Sequence, residues 1–306
     1  MSSQYFRFMA RTAERPRSHL LERLLARAES HAPVSDWRAD AFRVIAPQAG
    51  SAPGVGAAVL RADRGPLVAG ATDFAWVCMA TPVHYTAEMS NVRLPLDGML
   101  ALSMASAATL AADFNRVWQG SGISLWAARS AQLLCTFDRP LTVSTRDPQD
   151  VLGLHIEEFL PTGADSRRLR QLISETEMWL FEHPANQARR ELRQPAVNGL
   201  WFWGGATPLS ALPEVQGWAA GDDVFFNAVG RPRDEQFASG VIAAGSGPGG
   251  SGWHQAESCL EAAAEQLRAG RIARLQISAE DRCFTVTRRG LRRFWRRRKP
   301  WWEWFG

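Results

Sequence analysis

Two short runs constrain this chain more than any other feature. Phe74-Ala75-Trp76-Val77-Cys78-Met79 is apolar on both faces of an extended strand, and residues 197–203 form a second strongly apolar stretch. A strand buried on both faces needs cover on each side, which helices provide in α/β proteins. The first run is predicted to stop at Thr81-Pro82, because proline has no N–H for a ladder and restricts the residue before it. Gly204-Gly205 is predicted to stop the second.

Helical periodicity around these runs predicts helices over about residues 17–29, 99–118, 165–182 and 256–267. Leu20, Leu21, Leu24 and Leu25 form the apolar stripe of the first; Leu169, Ile173 and Leu180 form that of the third. Residues 123–128 with 132–137, and 273–278 with 283–287, read as hairpins. Strands and helices intermix, so the predicted class is α/β (or α+β): a mixed sheet with flanking helices and a C-terminal helix plus β-hairpin. The expected division is an N-terminal α/β part, residues 1–160, and a C-terminal part, 161–306. The latter holds a Gly-rich loop at 239–252, which lacks the Lys-Ser/Thr ending of a phosphate loop.

With 46% hydrophobic and 22% charged residues in 306, the composition excludes a disordered or collagen-like chain. The 35 basic residues include a single lysine, Lys299. Chemistry resting on a lysine Schiff base or a P-loop lysine is thereby excluded. The formal net charge is +4, yet eight basic and no acidic residues fall between Arg288 and Lys299, so the rest is net negative. A nucleic-acid face spread over the whole chain is not supported. Four separated cysteines, Cys78, Cys135, Cys259 and Cys283, form no CxxC pair and read as buried thiols of a reducing compartment. The N-terminus lacks the apolar stretch of a signal peptide. The apolar run at 98–112 is too short to span a bilayer and contains Ser103, Ser106 and Thr109. The expectation is a soluble, cytoplasmic protein.

Residues able to do chemistry are densest between Glu177 and Gly205. His183, at the expected end of a helix, faces carbonyl ends that raise proton affinity, so a cation near neutral pH is predicted. Asn186 and Asn198 offer amides that need no ionisation. Trp201 and Trp203 share one strand face, Leu200 and Phe202 the other. Gly204 and Gly205 allow close backbone approach by a ligand or another chain. The first strand also has a polar exit, Thr81-Pro82-Val83-His84-Tyr85. If the two strands run parallel, His84 and His183 meet in one crevice beyond the strand ends. The candidate ligand-binding set is therefore His84, Glu177, His183, Asn186, Arg190, Asn198, Trp201, Trp203, Gly204 and Gly205. A plainer reading stands beside it: His-Pro as a helix stop and the tryptophans as core.

No catalytic residue is assigned. The six histidines show no metal-ligand spacing; His155 with Glu157 and Glu158 is the one close His/carboxylate group, and adjacent strand residues point to opposite faces. Neither a metal nor a cofactor is predicted, and there is no Gly-x-Ser-x-Gly elbow.

His183-Pro184-Ala185-Asn186, followed by Val197-Asn198-Gly199-Leu200-Trp201-Phe202-Trp203-Gly204-Gly205, resembles the bacterial regulatory protein RpfE family, whose members are often labelled phosphoglycerate mutase-like. The strand exit at 76–85 and the ending at 288–298 resemble further family blocks. Ala185 stands where the family has valine, Gly199 where it has serine, and Ala206 where it has a third glycine. Met79-Ala80-Thr81 precedes Pro82 in place of the family's arginine and aspartate. The resemblance implies a regulatory protein binding a small anionic ligand or a protein partner, rather than an enzyme. The alternative is an enzyme on phosphorylated small molecules, with His183 as acid/base and Arg189 or Arg190 holding phosphate. A cofactor-independent mutase would need a serine nucleophile and two metals in Asp and His clusters, which are not seen. The tail, 288–306, interleaves arginines with aromatics and suits an anionic membrane surface, single-stranded nucleic acid or an acidic partner.

Overall fold

In the computed structural model, which describes residues 2–11, 15–31, 36–64, 74–234, 238–245 and 253–305, the elements follow in chain order. The N-terminal stretch holds β1 (Ser3–Arg7), α1 (His19–Arg27), β2 (Glu29–Ser30), α2 (Trp37–Ile45) and α3 (Val55–Arg64). The middle holds β3 (Trp76–Val83), β4 (Thr86–Ala87), β5 (Val92–Leu94), α4 (Met104–Val117), β6 (Ile123–Ala127), β7 (Leu133–Phe137) and β8 (Leu154–His155). Next come α5 (Ser166–Phe181), α6 (Pro184–Glu191), β9 (Gly199–Ala206), β10 (Trp218–Gly221) and α7 (Val224–Val229). The chain closes with β11 (Gly240–Ala243), α8 (Trp253–Ala269), β12 (Arg274–Ala279) and β13 (Arg282–Thr287). Of the Gly-rich loop expected at 239–252, residues 246–252 lie outside the described residues.

Two compact units result, Met1–Ala52 with Pro213–Gly306, and Pro53–Leu212. The boundary expected at 160/161 is not where the chain divides. β1 pairs in parallel with both β11 and β12, so the first strand belongs to a sheet otherwise built mainly from the last third of the chain. That sheet has the order β10-β11-β1-β12-β13-β2 and is mixed: parallel from β10 to β12, antiparallel from β12 to β2. The expected α/β class, mixed sheet, C-terminal helix and hairpin are all present. The leucine stripe of α1 and the Leu260, Ala263, Ala264 and Leu267 face of α8 pack in one core with Phe6, Phe8, Leu275 and Ile277. Trp301 and Phe305 belong to the same core, so the end of the tail is an anchor. Burying an indole the size of Trp301 is worth about 4–6 kcal/mol before ordering costs.

The second unit has an antiparallel sheet, β6-β7-β3-β9, and a small one, β4-β5-β8. β3 is buried at every position and continues through Thr81-Pro82 to Val83, past its expected stop. The carbonyl of Pro82 accepts from the Leu100 N–H. The proline nitrogen therefore faces away from β9, where a missing N–H breaks no ladder bond. α4 starts at Met104 rather than near 99, because Ser103 caps it by accepting from the Ser106 N–H at 3.1 Å. Cys78 and Cys135 are register partners on β3 and β7, both buried free thiols, and burial raises the Cys78 pKa. Among the described residues no helix is long and apolar enough to cross a membrane.

Candidate functional site

His183-Pro184-Ala185-Asn186 ends one helix and begins the next. His183 is the N-cap of α6, its Nδ1 accepting from the Ala185 N–H at 3.2 Å, and Pro184 fills the first helical position, where no N–H is needed. The polar stretch after it is helical. The predicted imidazolium is also corrected. The ring is 5% exposed, and burial lowers its pKa; Asp113, whose Oδ2 lies 3.2 Å from Nε2, pulls the other way without a well-aligned hydrogen bond. At the N-terminus of α6 the helix dipole also disfavours a cation. His183 is a neutral cap, packed edge-on against Trp179.

Asn186, 4% exposed, is a clasp. Its Nδ2 donates to the carbonyls of Leu180 at 2.7 Å and Val197 at 2.8 Å, and its Oδ1 accepts from the Val197 N–H at 2.8 Å. One amide thus ties the last turn of α5, the first turn of α6 and the entry to β9.

β3 and β9 run antiparallel, not parallel, so the end of β3 meets the start of β9. Asn198 bridges that junction: Oδ1 accepts from the Tyr85 N–H at 2.6 Å and Nδ2 donates to the Tyr85 carbonyl at 2.9 Å. Its side chain extends the ladder by one step. At the far end of β9, a Cβ on Gly205 would overlap the indole of Trp76, and one on Gly204, where φ is +64°, would lie 2.8 Å from Cβ of Val55. The glycines admit neighbours within the fold, not a ligand. Trp201 and Trp203 share a strand face as predicted and are buried; their indoles donate to the Arg146 carbonyl at 2.7 Å and to Thr81 Oγ1 at 2.8 Å. Leu200 and Phe202 join the core with α4 and α5.

The parallel pairing that was to bring His84 and His183 into one crevice is absent. His84 Nδ1 lies 2.8 Å from the Ala196 carbonyl oxygen, and Arg190 is exposed on α6. Among the described residues no three His, Cys, Asp or Glu side chains group so as to hold a metal. His155 pairs instead with Glu88, at 3.0 Å.

Two of the predicted residues, Glu177 and Asn198, do line a cavity. It measures about 440 Å³ and is walled by Tyr85, Val92, Ile156, Leu160, Ile173 and Phe181, among others. Arg170, Ser174, Glu177 and Phe181 reach it from one face of α5, at helical spacing. Among the described residues neither the Glu177 carboxyl nor the Tyr85 hydroxyl has a hydrogen-bond partner. Desolvation raises both pKa values, so the phenol stays protonated and Glu177 keeps its proton to higher pH than an ordinary glutamate. Glu157 is held ionised by the Val92 N–H, 2.8 Å from its Oε1. Sequence reading missed Tyr85, Arg170 and Ser174; the signal was the 170–174–177–181 spacing beside the core stripe of α5.

No family model matches the chain. It is similar over part of its length to phosphoglycerate mutases. The 2,3-bisphosphoglycerate-independent phosphoglycerate mutase of Methanosarcina mazei is 35% identical over 57 residues, 19% of this chain and 14% of that enzyme. The Methanosarcina barkeri enzyme is 37% identical over 62 residues, 20% of this chain and 16% of its own. The matched segments thus span under a fifth of those mutases. The solved cofactor-independent phosphoglycerate mutase from Thermoplasma acidophilum aligns over 94% of this chain and 90% of its own, at 14% identity and a TM-score of 0.38. The donor set of a two-metal phosphoryl-transfer centre does not fit the described residues of this chain.

The raised Glu177 pKa carries a stability signature. Folding favours the protonated form, so stability falls as pH rises from the ordinary value of 4.5 through the raised one and is then flat. Glu177→Gln is expected to melt higher than the natural chain at pH 7 and level with it well below pH 4.5. Melting curves across that range check it.

Proposed function

We propose that this chain is a regulatory protein of the RpfE kind that binds a small molecule in the Glu177 cavity, on an α/β plan related to the mutases. The observation that carries the reading is that the Glu177 carboxyl and the Tyr85 phenol line one largely apolar cavity with no hydrogen-bond partner among the described residues. Such a site offers the Tyr85 O–H as a donor and the Glu177 carboxyl as a second polar group where a ligand displaces water, and desolvation strengthens both contacts. The ligand class is a small, partly apolar molecule bearing a hydroxyl, amide or carbonyl group. Two carboxyl groups, Glu157 and Glu177, face one cation, Arg170, so a multiply charged phosphate is a poor fit. The anionic-ligand expectation is narrowed accordingly.

An enzyme on phosphorylated small molecules is the second reading, favoured by the identity shared with the Methanosarcina mutases. Thermal shift against two panels separates them: neutral amphipathic metabolites, and phosphorylated metabolites with Mn²⁺. A ligand at about 100 times its dissociation constant adds roughly 2.7 kcal/mol, a readable shift. Shifts confined to the first panel and lost in Glu177→Ala support the binding role. A Mn²⁺-dependent shift with 3-phosphoglycerate, accompanied by turnover, would replace it with the enzyme.

A further inference from the structure

The tail does not trail from the fold; it is held at both ends and displays its middle. Upstream, Arg293 pairs with Glu29, and the Arg296 guanidinium donates to the Ala28 carbonyl at 2.9 Å. Downstream, Trp301 is fully buried and donates to the Pro16 carbonyl at 2.9 Å, while the Phe305 ring packs edge-on against Phe8 and Phe284, each at 5.2 Å. Between these anchors Phe294 is 80% and Trp295 70% exposed. The rings sit 5.4 Å apart at 80°, forming one wedge.

Cations follow the wedge directly in the chain. Arg297 and Arg298 are exposed and, among the described residues, have no acidic partner. Arg298 lies close enough to Arg27 of α1 to depress its pKa, as do Arg23 and Arg268, behind the larger effect of burial. The basic tract of the sequence thus converges in space with arginines of α1 and α8. Concentrated like charge costs stability unless an anionic partner neutralises it.

We infer that this exposed aromatic wedge, with the arginines that adjoin it, is a docking surface for an anionic phospholipid membrane. Aromatic rings settle at headgroup depth, and guanidinium groups pair with lipid phosphates around them. A membrane fits the geometry better than single-stranded nucleic acid. Rings crossed at 80° against each other do not offer parallel faces to successive bases, as a stacking platform does.

The test is flotation of the full chain with vesicles of phosphatidylcholine alone and of phosphatidylcholine with phosphatidylserine, beside a single-stranded oligonucleotide. Binding is expected to the phosphatidylserine vesicles only, and to weaken with salt. The double variant Phe294→Ala, Trp295→Ala should reduce it roughly tenfold. Arg297→Ala and Arg298→Ala should each reduce it about fivefold. All four side chains are exposed, so melting temperatures should not fall. Absence of vesicle binding, equal binding to both vesicle types, or oligonucleotide binding in its place would overturn the assignment. So would vesicle binding that ignores the aromatic variant.

Discussion

Replacing Asn186 by alanine is expected to lower the melting temperature of the protein by roughly 10 °C. The substitution strips partners from three backbone groups at once, the carbonyls of Leu180 and Val197 and the Val197 N–H. Each buried group left unmade costs about 1–3 kcal/mol, and partial entry of water trims the sum to about 3–5 kcal/mol. The loss falls where α5, α6 and β9 meet, so hydrogen exchange should accelerate first at Val197 and along α6. Arg190→Ala, on the exposed side of α6, serves as the control and should stay within about 0.5 kcal/mol of the natural chain. Had Asn186 been a ligand-binding amide, its loss would spare the melting temperature and abolish binding instead.

Gly205→Ala is expected to be the second most damaging substitution in this region. The added methyl would overlap the indole of Trp76, which is 5% exposed and packed edge-on against Phe137 at 5.3 Å. Neither ring has room to retreat, so the strand or the indole must shift. Overpacking of this kind costs about 1–3 kcal/mol or more. Gly50, with nothing within 4 Å of a built Cβ, is the contrast: Gly50→Ala should leave stability close to unchanged. Chemical denaturation of the pair checks the expectation. Equal midpoints would mean that the space beside Gly205 is open to a ligand after all.

Local signals carried much of this fold. The leucine stripe of α1, the β6–β7 and β12–β13 hairpins and the alternation of Trp201 and Trp203 with Leu200 and Phe202 follow from periodicity that needs no distant partner. What depended on long-range pairing was not legible. β1 reads as an ordinary short strand, and nothing local says that it pairs with β11 and β12, far along the chain. The direction of β9 against β3 is likewise non-local, and it decides the site: antiparallel pairing brings Asn198 to Tyr85 and Gly205 to Trp76.

His-Pro illustrates a different ambiguity. The same dipeptide stops one helix and, with proline at the first position, starts another, so His183 becomes a buried cap whose pKa burial lowers where an exposed helix end would have raised it. The residues that looked most like a ligand site are those whose polar atoms the fold itself consumes. Glu177 stands apart because it sits half-buried with no hydrogen-bond or ion-pair partner among the described residues.

Cavity occupancy is the central claim, and one binding measurement reaches it most directly. Ser174 is exposed at the cavity wall, so Ser174→Trp should fill the space without disturbing the core. Titration of the first panel's strongest ligand into the natural chain and into Ser174→Trp, by calorimetry, is expected to show binding to the first and none to the second, at equal melting temperatures. Undiminished binding to Ser174→Trp would place the ligand elsewhere and contradict the account.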